Sequence, residues 1–232
     1  MKRLQRKYFV KHNKWIVLLF LLFISGITMG QNHLGLDGKL YNGRYYTYFV
    51  SPDVNGNQFL KTKKYGEGSV FLQGHKYSNL QLNYDVYNQE IVMNFETSEG
   101  VKRLISLSFA YLDSFRLYNE LFWVKHYANN DVKIFKVLHE GDFSFNIHYT
   151  KNLELESSIG DVNYYFTKLR KHIYFKTRQG ALINVQTKRK FLKLFNKKQA
   201  GQIRHFLRLQ KIKYSKMNET EYHSLLHYLN QI

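Results

Sequence analysis

Three groups of residues in this chain have types and spacings that chemistry can use. The first is the carboxylate pair Asp85 and Glu90, set between two runs of alternating apolar residues. If Asn88 and Gln89 form a two-residue turn, Asp85 faces Val92 and Glu90 faces Tyr87, so both acids occupy the polar face as diagonal neighbours. Diagonal Cα atoms lie about 7–8 Å apart, which brings two carboxyl groups near the separations used in glycoside hydrolysis. Acids beside a turn are also what an ordinary solvated strand face carries.

The second group is Glu219, His223 and His227, which recur every four residues and project from one side of a helix. Paired histidines at that spacing can hold zinc, but a site needs three or four ligands. The apolar positions Tyr222, Leu225, Leu226 and Leu229 turn both histidines partly outward. The third group is basic: Lys188, Arg189, Lys190, Lys193, Lys197, Lys198, Arg204 and Arg208. Its first three members fall in the first turn of a helix, where the dipole disfavours cations and a bound phosphate would relieve them. Lys197, Arg204, Arg208 and Lys211 form a stripe expected opposite Ile203 and Leu207. Lys and Arg are also good helix formers that solvate an outer face.

Other chemistries are excluded by what is missing. The chain has no Cys, so thiol catalysis, Cys-ligated metals and disulfides are impossible. It has no Gly-x-Ser-x-Gly elbow, no phosphate loop and no His-Glu-x-x-His. Gly66 and Gly68 lack the third glycine of a dinucleotide site and read as a turn. No cofactor is implied.

These residues must be positioned by two kinds of element. From about residue 41 to 186 the dominant period is two, rich in aromatic and β-branched residues, which is the pattern of half-buried strands. In the turn register above, Val86 faces Ile91, Tyr84 faces Met93 and Leu82 faces Phe95, all on one face. Phe143, Phe145, Ile147 and Tyr149 repeat the alternation. Short connections between such runs imply antiparallel meanders. Tyr45, Tyr46 and Tyr48 cannot all be core in one strand, so Tyr45 or Tyr46 is expected at the surface, where tyrosines can also stack on a ligand.

After Thr187 apolar residues recur at three and four, as in short amphipathic helices. Thr187 caps the first, Asn218 and Glu221 form a capping box for the last, and Gly201 marks a break or bend. The expected fold is α+β: an antiparallel β-rich body over 31–186, as meander sheet, sandwich or partial barrel, with a basic helical portion over 187–232 packed on it. A membrane barrel fits less well, because the strands are short and their polar faces carry acids.

The string Gly68-Ser-Val, then Gly74 to Tyr77, then Asn79 through Val92 resembles the core of an exported family of Gram-negative bacteria with no assigned activity. So does the ending, in which a Lys-rich helix at Phe191 to Lys198 precedes Ile203 to Leu209 and a last helix at Leu225 to Asn230. The resemblance implies export and a β-rich body, and no mechanism.

Residues 1–30 carry Lys2, Arg3, Arg6, Lys7, Lys11 and Lys14, an apolar run from Trp15 to Ile24, and small residues at Thr28 and Gly30. That is a signal-peptide pattern with Gln31 as the new N-terminus. A span needs about 20 apolar residues, and this run is shorter. Between Gln31 and Asp161 thirteen Lys and Arg face fifteen acids, whereas sixteen face two beyond Asp161. The function expected is that of a periplasmic or peripheral envelope protein, binding or structural rather than enzymatic. Its basic surface contacts lipid head groups, lipopolysaccharide or an acidic protein. Export sets nucleic acid aside. The alternative is a carboxylate-dependent, glycosidase-like hydrolase using Asp85 and Glu90.

Overall fold

The computed structural model describes residues 40, 43–97, 99–127, 131–139, 141–158 and 161–232. The expected leader, 1–30, lies outside the described residues. Among the described residues thirteen strands and three α-helices follow in order, with a 3-10 turn at Tyr214–Lys216 between the last two helices. The strands are β1 (Arg44–Tyr45), β2 (Gly66–Leu72), β3 (His75–Asp85), β4 (Glu90–Glu96), β5 (Lys102–Ser106), β6 (Leu112–Leu117), β7 (Glu120–His126), β8 (Val132–Val137), β9 (Ser144–Thr150), β10 (Leu153–Ser158), β11 (Asp161–Phe166), β12 (Arg170–Lys176) and β13 (Leu182–Asn184). The helices are α1 (Lys188–Leu192), α2 (Lys197–Leu209) and α3 (Glu219–Leu229).

Eleven strands form one antiparallel sheet in the order β1-β5-β4-β3-β2-β6-β7-β8-β9-β12-β13, and β10 and β11 pair as a separate hairpin. The sheet does not close: its edges are β1, two residues long, and β13, three residues long. Such short edges present few free backbone groups to another chain. The α+β, β-rich body with short C-terminal helices is therefore what the chain forms. No helix among the described residues is long and apolar enough to cross a membrane.

One face of the sheet is packed with rings. Tyr84 meets Phe115 and Phe122 edge-on, and Phe115 stacks on Phe122 at 4.7 Å across β6 and β7. Farther along, Phe145 and Phe175 receive Phe191 from α1, and Phe145 also meets Tyr222 from α3 at 4.7 Å. Those contacts fasten the C-terminal helices to the sheet. Each buried ring contributes more than its area, because offset and edge-on pairs add about 0.5–1.5 kcal/mol.

A charged tie reinforces this seam. Lys136 on β8 is buried on the helix-facing side and bridges Glu120 of β7 at 3.1 Å and Glu219 of α3 at 2.5 Å. Alternation puts Lys136 on the same face of β8 as buried Ile134, so the strand period marks the position as inward although the charge reads as solvated.

The first and last helices start as their end signals predict, and Asn196 adds a cap for α2 that was not foreseen. Thr187 accepts from the Lys190 amide, Asn196 from the Gln199 amide, and Asn218 with Glu221 makes the reciprocal capping box. One expectation is corrected. Gly201 breaks nothing, since α2 runs unbroken through it; the break falls instead between α1 and α2, where Asn196 starts a new helix.

The β3–β4 register is also corrected. The connection is a four-residue turn, Val86 to Gln89, so Tyr84 pairs with Ile91, Leu82 with Met93 and Asp85 directly with Glu90. Faces are preserved, because the shift is by two residues, the side-chain period of a strand. The turn is set by Asp85, whose Oδ1 accepts from the amides of Tyr87 at 2.9 Å and Asn88 at 2.8 Å. This is an Asx-type turn, in which the carboxylate mimics a backbone acceptor.

The opposite face of β3 and β4 is not solvated. Tyr46, Phe59 and Val92 form a buried cluster there, joined by Tyr48, Tyr65 and Leu104. A strap over residues 58–65 crosses the end of β3: the Leu60 amide donates to the Tyr84 carbonyl and the Val86 amide to the Gln58 carbonyl. Asn83, fully buried, donates to the Thr62 and Lys64 carbonyls at 2.9 and 3.2 Å. Tyr45 stands exposed at the sheet edge while Tyr46 is buried.

Candidate anion-binding surface

The carboxylate pair is split by this packing. Asp85 has no exposed surface and accepts four hydrogen bonds: the two turn amides, the Tyr46 hydroxyl at 2.6 Å and Asn88 Nδ2 at 2.8 Å. Gln58 donates in turn to the Tyr46 oxygen at 3.1 Å. Burial first, and then the Asp85 hydrogen bond, push the Tyr46 phenol well above the ordinary tyrosine value, so its hydroxyl keeps its proton and donates. Glu90, in contrast, pairs with Arg44 and lines a hollow of about 330 Å³ with Asn88 and Ser106. Asp85 does not border that hollow. The two acids do share one face, as directly opposed residues, but only Glu90 borders the hollow, so they do not converge on one substrate position.

The candidate metal ligands are also dispersed. Glu219 is held by Lys136, His223 meets the His139 ring edge-on at 5.9 Å, and His227 contacts Gln231 Nε2 at 3.0 Å. Among the described residues no group of three His, Cys, Asp or Glu could hold a metal ion.

The basic residues behave differently. All eleven Lys and Arg from Lys188 to Lys216 are exposed. None forms an ion pair among the described residues, whereas six of the cations before Lys188 do, from Arg44 to Arg178. The reason is in the sequence: the stretch between Asp161 and Glu219 contains no acid to pair with them.

Two helices organise these cations. At 3.6 residues per turn, Lys197, Gly201, Arg204 and Arg208 share one exposed stripe of α2. That stripe lies beside Ile203 and Leu207, about 80–120° around the helix, rather than opposite them. Phe206 stacks on Tyr228 of α3 at 4.4 Å and fixes the rotation of α2. Lys211 has left the helix, in a left-handed conformation with φ of 55°.

The stripe then meets α1. Lys188, Arg189 and Lys193 converge with Arg204 around Leu192, and together they line a hollow of about 350 Å³. Leu192 is nearly buried and forms an apolar floor. The gathering comes from α1 meeting α2, and not from the start of α1 alone: Lys190 does not border the hollow, and its amide is already satisfied by Thr187. Two members were missed by charge reading. Leu192 carries no charge to mark it, and Gly201 was expected to be a break or bend; its outward spacing with Lys197, Arg204 and Arg208 is the signal that places it in the stripe.

Compared with family models, with curated proteins and with solved structures, the chain matches none.

Proposed function

We propose that this is an exported binding protein of the cell envelope that docks through the basic face of α1 and α2 on an anionic surface of lipid head groups or lipopolysaccharide. The single observation carrying this reading is the set of eleven exposed cations between Lys188 and Lys216 without a carboxylate partner among the described residues. Cations needed for solubility alone would be interspersed with acids, as they are on the strands. Each cation held near an anionic membrane contributes about 1 kcal/mol, so even part of the set gives useful affinity. Rings fix α1 and α3 to the sheet, so the face is presented preformed. The hydrolase alternative has no such support, since Asp85 is enclosed and its lone pairs are committed.

The test is co-sedimentation of the protein with phosphatidylglycerol vesicles and with phosphatidylcholine vesicles over a salt series. Binding to the first and not the second, weakening as salt rises, is expected. Gly201→Glu is the informative variant. A Cβ there meets nothing within 4 Å and Gly201 is exposed, so an acid enters the middle of the stripe from the solvent side. It should reduce binding several-fold while leaving thermal unfolding unchanged or improved, because Gly is the poorer helix former. Equal affinity for both vesicle types would remove the proposal.

A further inference from the structure

We infer that the hollow bounded by Lys188, Arg189, Lys193 and Arg204 over Leu192 is a subsite for a terminal phosphate group, a phosphomonoester or diphosphate, within the docking face. This rests on the reading of that face as an anion-docking surface and deepens it by naming the group recognised. The hollow holds four cations and no acid. None of the four side chains has a hydrogen bond or ion pair among the described residues, and each is exposed. Like charges gathered on one concavity repel, and the neighbouring strands supply no counter-charge. A bound dianion removes that repulsion.

The chemistry of the four groups selects among anions. Arg189 and Arg204 each offer a planar fork of donors matched to two oxygens of a phosphate, while Lys188 and Lys193 act as point charges. A phosphomonoester carries up to two charges and three free oxygens. A phosphodiester or carboxylate offers one charge and two oxygens, which leaves part of this donor set unpaired. The floor is Leu192, so a ligand here meets an apolar contact beneath its polar one. The source of the phosphate is thus either an amphiphile with a terminal phosphate or a free diphosphate, and the shared group is what the hollow takes.

Two measurements on the intact protein separate the sources and the claims. In the first, vesicles containing phosphatidic acid, a monoester, are compared with phosphatidylglycerol vesicles, a diester, at matched surface charge. In the second, inorganic pyrophosphate is titrated in and followed by its phosphorus resonance and by isothermal calorimetry. The subsite predicts tighter binding to the monoester vesicles, pyrophosphate binding, and loss of both in Arg189→Gln/Arg204→Gln. Each lost charge-assisted contact is worth roughly tenfold in affinity. Lys190→Gln, outside the hollow, should leave the monoester preference intact, which separates a site from bulk charge. Pyrophosphate binding without vesicle binding would support the subsite with a soluble ligand and overturn the membrane docking reading. Vesicle binding that ignores the difference between monoester and diester, with no pyrophosphate signal, overturns the subsite and leaves the docking face standing. Binding to neither overturns both.

Discussion

Asp85 receives four donors on two oxygens with no solvent to compensate a loss, so its role is to hold the β3–β4 turn and the Tyr46 hydroxyl in place. An asparagine of the same shape exchanges one acceptor oxygen for a donor, and the donors facing it lose their partner. Asp85→Asn should therefore lower the unfolding free energy by about 3 kcal/mol in urea, with the folded fraction still binding anionic vesicles as the parent does. A variant as stable as the parent would mean that Asp85 does not organise the turn, and would reopen its use as an acid. Glu90 gives the contrast. It reaches solvent and pairs with Arg44, and surface pairs of that kind contribute about 1 kcal/mol or less. The spacing of the two acids was legible in the sequence; their unequal burial was not, because it is created by Tyr46, Gln58 and Phe59 arriving from an earlier segment. The mark that was available is Asp85 itself, which can accept from the amides two and three residues on.

Among elements, the strap over 58–65 has the least regular structure and the clearest anchor. Asn83 donates to the Thr62 and Lys64 carbonyls, Lys151 donates to the Asn57 and Phe59 carbonyls at 2.8 and 2.6 Å, and Phe59 packs under Tyr65. Lys61, Lys63 and Lys64 stay exposed, so the strap offers trypsin three sites that its anchoring keeps closed. Asn83→Ala should open them: cleavage after Lys61 to Lys64 should quicken about tenfold or more, as expected from losing one to two buried hydrogen bonds. Cleavage at those lysines as slow as in the parent would show that the anchor lies elsewhere. The strap also explains which elements could be read in advance. Alternation in β3, β4 and β9, the three-four period of α2 and α3, the Thr187 cap and the Asn218–Glu221 capping box are local patterns and were visible as such. The strap has no period, and covering a face that carries Asn83 and Asp85 breaks the rule that polar alternation means solvent. The hollow escaped for the same reason: charge located the cations, but only the meeting of α1 and α2 brings Arg204 to Lys188, Arg189 and Lys193.

For the whole molecule, a formal charge of +18 and ten histidines make stability depend on both pH and salt, by two mechanisms that can be separated. The first is self-repulsion. Acidification adds positive charge to an already cationic chain, and salt screens the resulting repulsion over about 10 Å at 0.1 M. The second is burial of His148 on the sheet face away from the helices. Its Nδ1 donates to the Ile134 carbonyl at 3.0 Å, its ring lies 5.8 Å from Phe135 and 5.9 Å from His172, and Lys133 and Asp131 are the nearby charges. Burial holds its pKa below the ordinary histidine value, with the Ile134 bond opposing and His172 and Lys133 adding to the fall. The unfolded chain therefore takes up this proton first as pH drops. The stability that neutral His148 contributes is complete above about 6.5 and is lost as pH falls from there toward the depressed folded value. Urea midpoints measured from pH 7.5 to 5 should decline, and added sodium chloride should restore the part due to repulsion while leaving the His148 part. His148→Gln, which keeps a donor for Ile134 but cannot titrate, should flatten the salt-resistant part. A salt-resistant decline that is as steep in His148→Gln as in the parent would assign it to another buried group.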